Sequence, residues 1–454
     1  MFRIRGMRGF LASSIGVTCA AALALPLTLP AAAAPASAPA PAPAVQPASG
    51  ARSASTTAAP DLPGSTQSLP LTPRTRDRTL GAAPEQGLTR ADVHRFSLVG
   101  VTWTDPDTEL RGQVQVRTRA TGTGEWSGWQ DIDTHNEDHG ADPGTAERDS
   151  GHVHGSTAPL WVGDSDGVDV RVRATGAATR TAGVVEEQLP PLPTGLHLEL
   201  VDPGAAEAPL AGAGATTNRS RTATPRLAAT ELPALSKQAT ERDMVALGAK
   251  AQPYIGPRPR IVTRHGWGAD EKLREKGFVY TKKVKAAFVH HTATGNNYRC
   301  SQAPSVIRGI YRYHVKSSGW RDIGYNFLVD KCGTIYEGRA GGVAKAVMGA
   351  HTLGFNTNSM GIAVLGTFGS AKPSSAAVTA IAKLTAWKLG LYGVNPRGKT
   401  YLKSGGGNLY RKGKNVRLNV ISGHRDGFAT ECPGRQLYGK LGSARSTSAR
   451  YQGR

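Results

Sequence analysis

Cysteine is scarce in this chain: 454 residues hold only four. One of them, Cys19, lies in an apolar run over residues 10–30 that follows Arg3, Arg5 and Arg8 and precedes four alanines at 31–34. A basic start, an apolar stretch and small residues behind it form the pattern of a secretory signal peptide, expected here over residues 1–34, with an uncleaved anchor as the alternative. Cys19 then leaves with the signal. After it no stretch is long and apolar enough to span a bilayer, which excludes an integral membrane protein of the helical kind once the signal is removed. Three cysteines remain, Cys300, Cys332 and Cys432, and an odd number in an exported protein asks for a second use of one of them. If Cys300 and Cys332 pair in the oxidising exterior, Cys432 stays free as a thiolate able to hold a metal.

Acidic residues are also missing where they would balance the charge. None occurs between Glu337 and Asp426, and residues 256–454 hold 33 Lys+Arg against 8 Asp+Glu. Of the whole chain's 55 and 34, that leaves 22 and 26 for residues 1–255. So basic a half suggests an anionic polymer as partner. Nucleic acid is the usual candidate, but an exported protein meets acidic wall polymers instead; a plain soluble basic enzyme is the duller alternative.

Large apolar groups are few in residues 35–75, which are dominated by Ala, Pro, Ser and Thr. Such a stretch cannot bury enough surface to fold, and residues 35–90 are expected to be linker. From 91 to 204 the texture changes. Phe96-Ser97-Leu98-Val99-Gly100-Val101, Val114-Gln115-Val116-Arg117, Val168-Asp169-Val170-Arg171-Val172 and Leu196-His197-Leu198-Glu199-Leu200 mostly alternate with period two between turn-forming clusters. This predicts an all-β sandwich. Trp126 and Trp129 are expected in its core, with a carbohydrate-stacking surface as the alternative. His135, His139, His152 and His154 lie among acids on what reads as a solvated loop; a metal site there is the less expected reading. Residues 205–256 return to Ala/Thr/Arg-rich linker, with a helical stretch around 234–250.

The region over 257–442 has mixed signals. Residues 286–289 read as a buried strand ending at a His pair. Ile307, Ile310, Tyr311 and His314 have helical spacing, and residues 325–329 and 334–337 read as a hairpin across Cys332-Gly333. Residues 360–368 predict another strand. Ser374 can cap a helix carrying Val378, Ile381, Leu384 and Trp387 on one face and ending at Gly390. The whole is a multidomain chain: an N-terminal all-β sandwich and a C-terminal α/β domain, a mixed sheet flanked by helices, with a basic tail over 443–454.

Three short polar motifs carry the chemistry: Phe288-Val289-His290-His291-Thr292, Gly423-His424-Arg425-Asp426 and Thr430-Glu431-Cys432-Pro433-Gly434. His290, His424 and Cys432 read as three protein ligands of a zinc ion, whose open fourth position distinguishes a hydrolytic site from a structural one. Imidazole and thiolate both suit zinc. The chain has no His-Glu-x-x-His, which excludes that type of metalloprotease.

These motifs, together with Arg264-His265-Gly266-Trp267-Gly268-Ala269, Gly319-Trp320-Arg321-Asp322-Ile323-Gly324-Tyr325-Asn326-Phe327, Gly333-Thr334-Ile335-Tyr336-Glu337-Gly338-Arg339 and Gly349-Ala350-His351-Thr352 followed by Asn356, resemble the family of zinc N-acetylmuramoyl-L-alanine amidases and peptidoglycan recognition proteins, which includes phage lysozyme-type amidases. The resemblance covers residues 264 to about 441. It implies hydrolysis of the amide between N-acetylmuramic acid and the L-alanine of the stem peptide, with Zn2+ on His290, His424 and Cys432. It also implies Tyr325 and Thr430 as catalytic residues, and His314, Trp320, Arg339, His351 and Asn356 as substrate-groove residues. Some family members have a disulfide in the neighbourhood of Cys300 and Cys332, which agrees with the cysteine count. His314 is equally a core histidine on these signals, Trp320 and Asn356 are equally structural, and His291 reads as packing beside the ligand.

The expectation is thus a secreted, wall-associated, monomeric zinc amidase acting on peptidoglycan, with anionic wall polymers as further partners and no nucleic acid. Two rivals stand beside it: a peptidoglycan-binding module without catalysis, which in this family commonly lacks the cysteine ligand, and a wall-attached structural or adhesion protein.

Overall fold

The N-terminal β-rich part is built around one unusually long strand. In the computed structural model, Leu160–Ala174 pairs through its first residues with Phe96–Trp103, and through the rest with Gly112–Ala120 on one side and Glu85–Arg90 on the other. Nine strands therefore form one hydrogen-bonded sheet, a β-rich domain. Register shifts in the pairing of this strand, between Phe96 and Leu98 and between Arg119 and Ala120 of its neighbours, are the local irregularities at which a sheet changes direction. Its core collects the alternating residues singled out in the sequence, Val99, Val101, Val114, Val116, Val168, Val170, Val172, Leu198 and Leu200.

The structure describes residues 64–74, 84–134, 138–181, 184–204, 229–246 and 253–454, all within one compact unit spanning 59–454. The expected signal peptide with Cys19, the Ala/Pro-rich stretch up to 63, His135 and residues 205–228 lie outside the described residues. Among the described residues no helix is long and apolar enough to cross a membrane.

Several stretches that read as linker or tail are structured. Ser65–Pro70 is an edge strand on His197–Asp202, and Glu85–Arg90 pairs with the long strand. Both are largely polar and half-exposed, so they carry little apolar alternation to betray them. Glu231–Leu232 pairs with Ile261–Val262, and Lys237–Ala246 is a helix that places Met244 in the core. The basic tail is the helix Leu441–Gln452. Its buried face is Leu441, Ala444, Ser448, Ala449 and Gln452, small and polar residues that let it lie close against Ser375–Gly390. Thr385 donates to the Ser448 hydroxyl at 3.0 Å and the Gln452 amide to the Ala386 carbonyl at 3.0 Å. Trp126 and Trp129 are not core: Trp126 is 38% exposed, and Arg117 and Arg171 stack over the two rings on the outer face of the sheet.

The C-terminal domain is a seven-stranded mixed sheet in which Phe327–Val329, Ser359–Val364, Ala286–His291 and Ile421–Gly423 run parallel side by side. Alternation along the strands sends Leu328 and Ala363 toward the helix Ala303–Arg312, and Phe327, Val329, Ile362 and Val364 toward Ser375–Gly390. That second helix starts where the sequence places it, with Ser374 Oγ accepting from the Ala377 amide at 3.0 Å.

The two parts are docked. Phe96–Trp103 is buried along its whole length because one face lines its own core while Leu98 packs with Ile307 and Ile310 of the C-terminal domain. Gly100 lies under Tyr313, where a Cβ would fall 2.4 Å from the phenol oxygen. That phenol donates to the Thr157 carbonyl at 3.1 Å.

Candidate metal centre

Adjacent parallel strands deliver two of the expected ligands to the same place. His290 lies at the carboxyl end of Ala286–His291, and His424 follows directly on Ile421–Gly423, which pairs beside it. Ligand sites of open α/β sheets form at this end of the strands. The chain then turns back. Arg425 donates its amide to the Cys432 carbonyl at 3.0 Å, and Asp426 accepts from the Gly423 amide and the Tyr438 hydroxyl at 2.9 and 2.7 Å. That closure brings Cys432 Sγ to 3.8 Å from His290 Nδ1. His290 Nε2 faces the Thr352 hydroxyl at 3.4 Å, which orients Nδ1 toward the sulfur.

A fourth donor joins them from the N-terminal part. His139 lies with its ring 4.6 Å from that of His424 and 5.3 Å from that of His290. One donor atom from each of His139, His290, His424 and Cys432 lies within 4.8 Å of the others, near the roughly 3.5 Å that separates ligands on one tetrahedral zinc. All four residues are buried. The sequence places His139 on a solvated loop; of that loop His152 and His154 are indeed exposed, but His139 is not. No local pattern marks it, because its role arises only when the loop of one domain meets the strand ends of the other.

The donor set fits a divalent cation. His139 Nε2 and both ring nitrogens of His424 are buried without a hydrogen-bond partner. Burial, reinforced by the neighbouring imidazoles, keeps His290 neutral, its pKa far below the ordinary histidine value. Burial likewise brings His424 down to about 3, although Asp138 opposes it. Neutral imidazoles offer the lone pairs a metal needs. Burial and the Asp138 charge push the Cys432 thiol up in the absence of a cation; a bound cation reverses that balance, since a coordinating thiol ionises. Burial would also raise Asp138, but its electrostatic interactions with the His139 and His424 rings and the His139 hydrogen bond outweigh burial and hold it below the usual carboxylate range. A dication, one thiolate and the Asp138 carboxylate together make a neutral centre.

The other expected residues divide. Tyr325 is buried beside the cluster, its ring 5.5 Å from His290. Thr430 accepts from the Cys432 amide at 3.1 Å. His314 packs its ring 4.3 Å from Trp320 and accepts from the Gly324 amide at 3.2 Å, which fixes the backbone entering Tyr325. His351 is fully buried among Phe288, Thr352, Ser359 and Gly361, its ring 5.3 Å from that of His290. His291, 6% exposed, accepts from the Phe368 amide at 3.3 Å. Trp320, Arg339 and Asn356 all meet residues 138–154. Trp320 clusters with Ala141 and Val153. Arg339 forms a buried two-armed ion pair with Glu147 at 2.8 Å on each arm. Asn356 donates to the Gly140 carbonyl at 2.8 Å and to Asp142 at 2.7 Å. Cys300 and Cys332 are joined in a disulfide, and Cys432 is free.

The C-terminal domain is thus a mixed α/β sheet with a His/Cys cluster at its parallel strand ends that could hold a metal ion, attached to a β-rich partner. Comparison with known sequences makes this specific. The profile of N-acetylmuramoyl-L-alanine amidase matches residues 280–435, and that described as Rv3811 N-terminal galactose-binding domain-like matches residues 51–191. Peptidoglycan-recognition protein SC2 of Drosophila simulans is 31% identical over 183 residues, 40% of this chain and 84% of the relative. Peptidoglycan-recognition protein SC1a of Drosophila melanogaster is 33% identical over 192 residues, 41% and 87%. Among solved structures, wild-type Drosophila PGRP-LB is similar at 25% identity over 40% of this chain and 92% of that one, with a TM-score of 0.32. The chain belongs, through its C-terminal domain, to the N-acetylmuramoyl-L-alanine amidase and peptidoglycan-recognition protein family.

Proposed function

We propose that the protein is an exported zinc-dependent N-acetylmuramoyl-L-alanine amidase that cleaves the amide between N-acetylmuramic acid and the L-alanine of the stem peptide in peptidoglycan. The observation that carries this reading is the buried His290, His424 and Cys432 set at the strand ends, with both His424 ring nitrogens lacking a hydrogen-bond partner. A zinc held there supplies a Lewis acid that polarises a carbonyl and acidifies water. The chain's own residues do the rest. Thr352 holds the His290 ring so that Nδ1 faces the cluster. Burial, with the nearby Cys432 and Asp138, raises the Tyr325 phenol well above its ordinary value, so it stays protonated and can donate to the oxygen on which charge develops. Thr430 accepts from the Cys432 amide, and its hydroxyl hydrogen-bonds Asp138, which fixes it at the edge of the cluster.

The recognition-module reading has one supporting observation, the recognition proteins among the relatives. Mass spectrometry of products from purified peptidoglycan separates the two. The full chain is incubated with zinc, with a chelator, and as Cys432→Ala, alongside Asp142→Ala/Glu147→Ala, which removes the Asp142 contact to Asn356 and the Glu147 ion pair with Arg339. Stem peptides with an alanine amino terminus, released only with zinc and Cys432 present, are expected. Wall bound by every protein with no peptide released by any would refute catalysis in favour of recognition.

A further inference from the structure

His139 does more than sit near the cluster. Its Nδ1 is 2.6 Å from Asp138 Oδ1, while its Nε2 is buried and without a partner. A ligating histidine is held in this way, one ring nitrogen on a carboxylate and the other turned to the metal. The second oxygen of the same carboxylate stands 3.5 Å from His424 Nδ1, so Asp138 braces one ring from each domain.

The loop that carries this pair is fastened to the C-terminal domain along its length. The Asp138 carbonyl accepts from the Leu353 amide at 2.9 Å. Asp142 accepts from the Gly354 amide at 2.8 Å and from Asn356. Glu147 takes both arms of Arg339, and Ala141 and Val153 cover Trp320. Beside His139, Tyr325 and Cys432 only about 10 Å³ of space remains, the least that one water needs and far less than a sugar–peptide requires. A zinc with three protein ligands keeps a position for water; a fourth imidazole closes the tetrahedron.

We infer that His139 is a fourth protein ligand of the metal centre and that residues 138–154 hold the centre closed, so that the described form is a latent one from which the loop must withdraw before substrate enters. The inference rests on the amidase reading of the same site. Zinc K-edge X-ray absorption on the full chain loaded with one zinc tests it without relying on turnover. Three imidazoles and one sulfur are expected in the wild type, and two imidazoles, one sulfur and one oxygen in His139→Ala; His139→Gln takes its place if the alanine variant does not fold. Release of stem peptide from soluble peptidoglycan fragments is expected to rise at least tenfold in Asp142→Ala/Glu147→Ala. Two imidazoles in the wild type overturn the fourth-ligand assignment, and equal release by wild type and double variant overturns the closed loop. Zinc taken up by neither wild type nor His139→Ala counts instead against the amidase reading.

Discussion

Asp138→Asn isolates the charge that joins the two domains at the metal centre. The asparagine oxygen can still accept from His139 Nδ1, so the loop keeps its place and only the negative charge is lost. A hydrogen bond to a charged group contributes about 1.5–3 kcal/mol, one between neutral groups about 0.5–1.5. The 2.6 Å contact to His139 should therefore weaken by about 1–1.5 kcal/mol. The longer 3.5 Å approach to His424 adds a smaller share. The centre also loses the neutrality that thiolate, carboxylate and dication give together. The expected result is a 10- to 100-fold fall in zinc affinity, about 1.4–2.7 kcal/mol. Competition against a chromophoric chelator measures it, and Asp142→Asn is the control. Asp142 lies on the same loop but bonds Gly354 and Asn356, so its loss should leave zinc affinity unchanged. A folded Asp138→Asn protein that binds zinc within a factor of two of wild type would refute the bracing role. A fall of equal size in both variants would show that the loop as a whole is at work.

Tyr325→Phe should bind zinc normally and lose about 10²–10³-fold in stem-peptide release, read in the Asp142→Ala/Glu147→Ala background so that access is not limiting. Lys388 is buried with its ammonium on the Val343 and Lys345 carbonyls, and burial, offset in part by Glu337, lowers its pKa to about 7. Between about pH 7 and 10.4 the unfolded chain then holds a proton that the folded chain does not, so this group's contribution to stability rises with pH across that window, by at most about 5 kcal/mol. Thermal melts of Lys388→Met should lack that rise; a wild-type-minus-variant difference that is flat in pH would count against it. The Cys300–Cys332 disulfide closes a loop with a sequence separation of 32, so Cys300→Ala/Cys332→Ala should lose about 3–4 kcal/mol in denaturant melts, and an unchanged midpoint would contradict that.

Features whose physical cause is local were legible in the sequence. His290, His424 and Cys432 sit in short motifs next to strand ends, and the Ser374 cap and the alternating valines of the β-rich core follow from one-dimensional periodicity. Features whose cause is tertiary were not. Beyond Leu441, the helix Leu441–Gln452 buries only Ala, Ser and Gln, which leaves no apolar stripe to read because close packing more than apolar bulk holds it. The strand Ser65–Pro70 is largely polar because, among the described residues, it lies at the edge of the sheet with one side unpaired. His351 is fully buried, which its motif does not show, since Gly361 leaves space against its ring that a Cβ 2.4 Å from Cγ would fill. His139 is the extreme case. Its sequence neighbours are acids and glycines, and what makes it a candidate ligand is the docking of Phe96–Trp103 on the far domain.

The chemistry of the two contact regions indicates which of them can open. The sheet is docked through Leu98, Trp161 and Val201 against Ile307, Ile310 and Tyr313, and parting those surfaces would expose apolar area at about 25 cal/mol per Å². The loop is held mainly by polar and ionic contacts, Asp142 on Asn356 and Glu147 on Arg339. A buried ion pair contributes little net stability, because withdrawal returns both charges to water and recovers their hydration. Moving residues 138–154 aside is therefore far less costly than undocking the domain that carries them. The β-rich part can remain seated while its loop leaves the metal centre, and salt or a competing carboxylate should weaken the loop's hold without separating the domains.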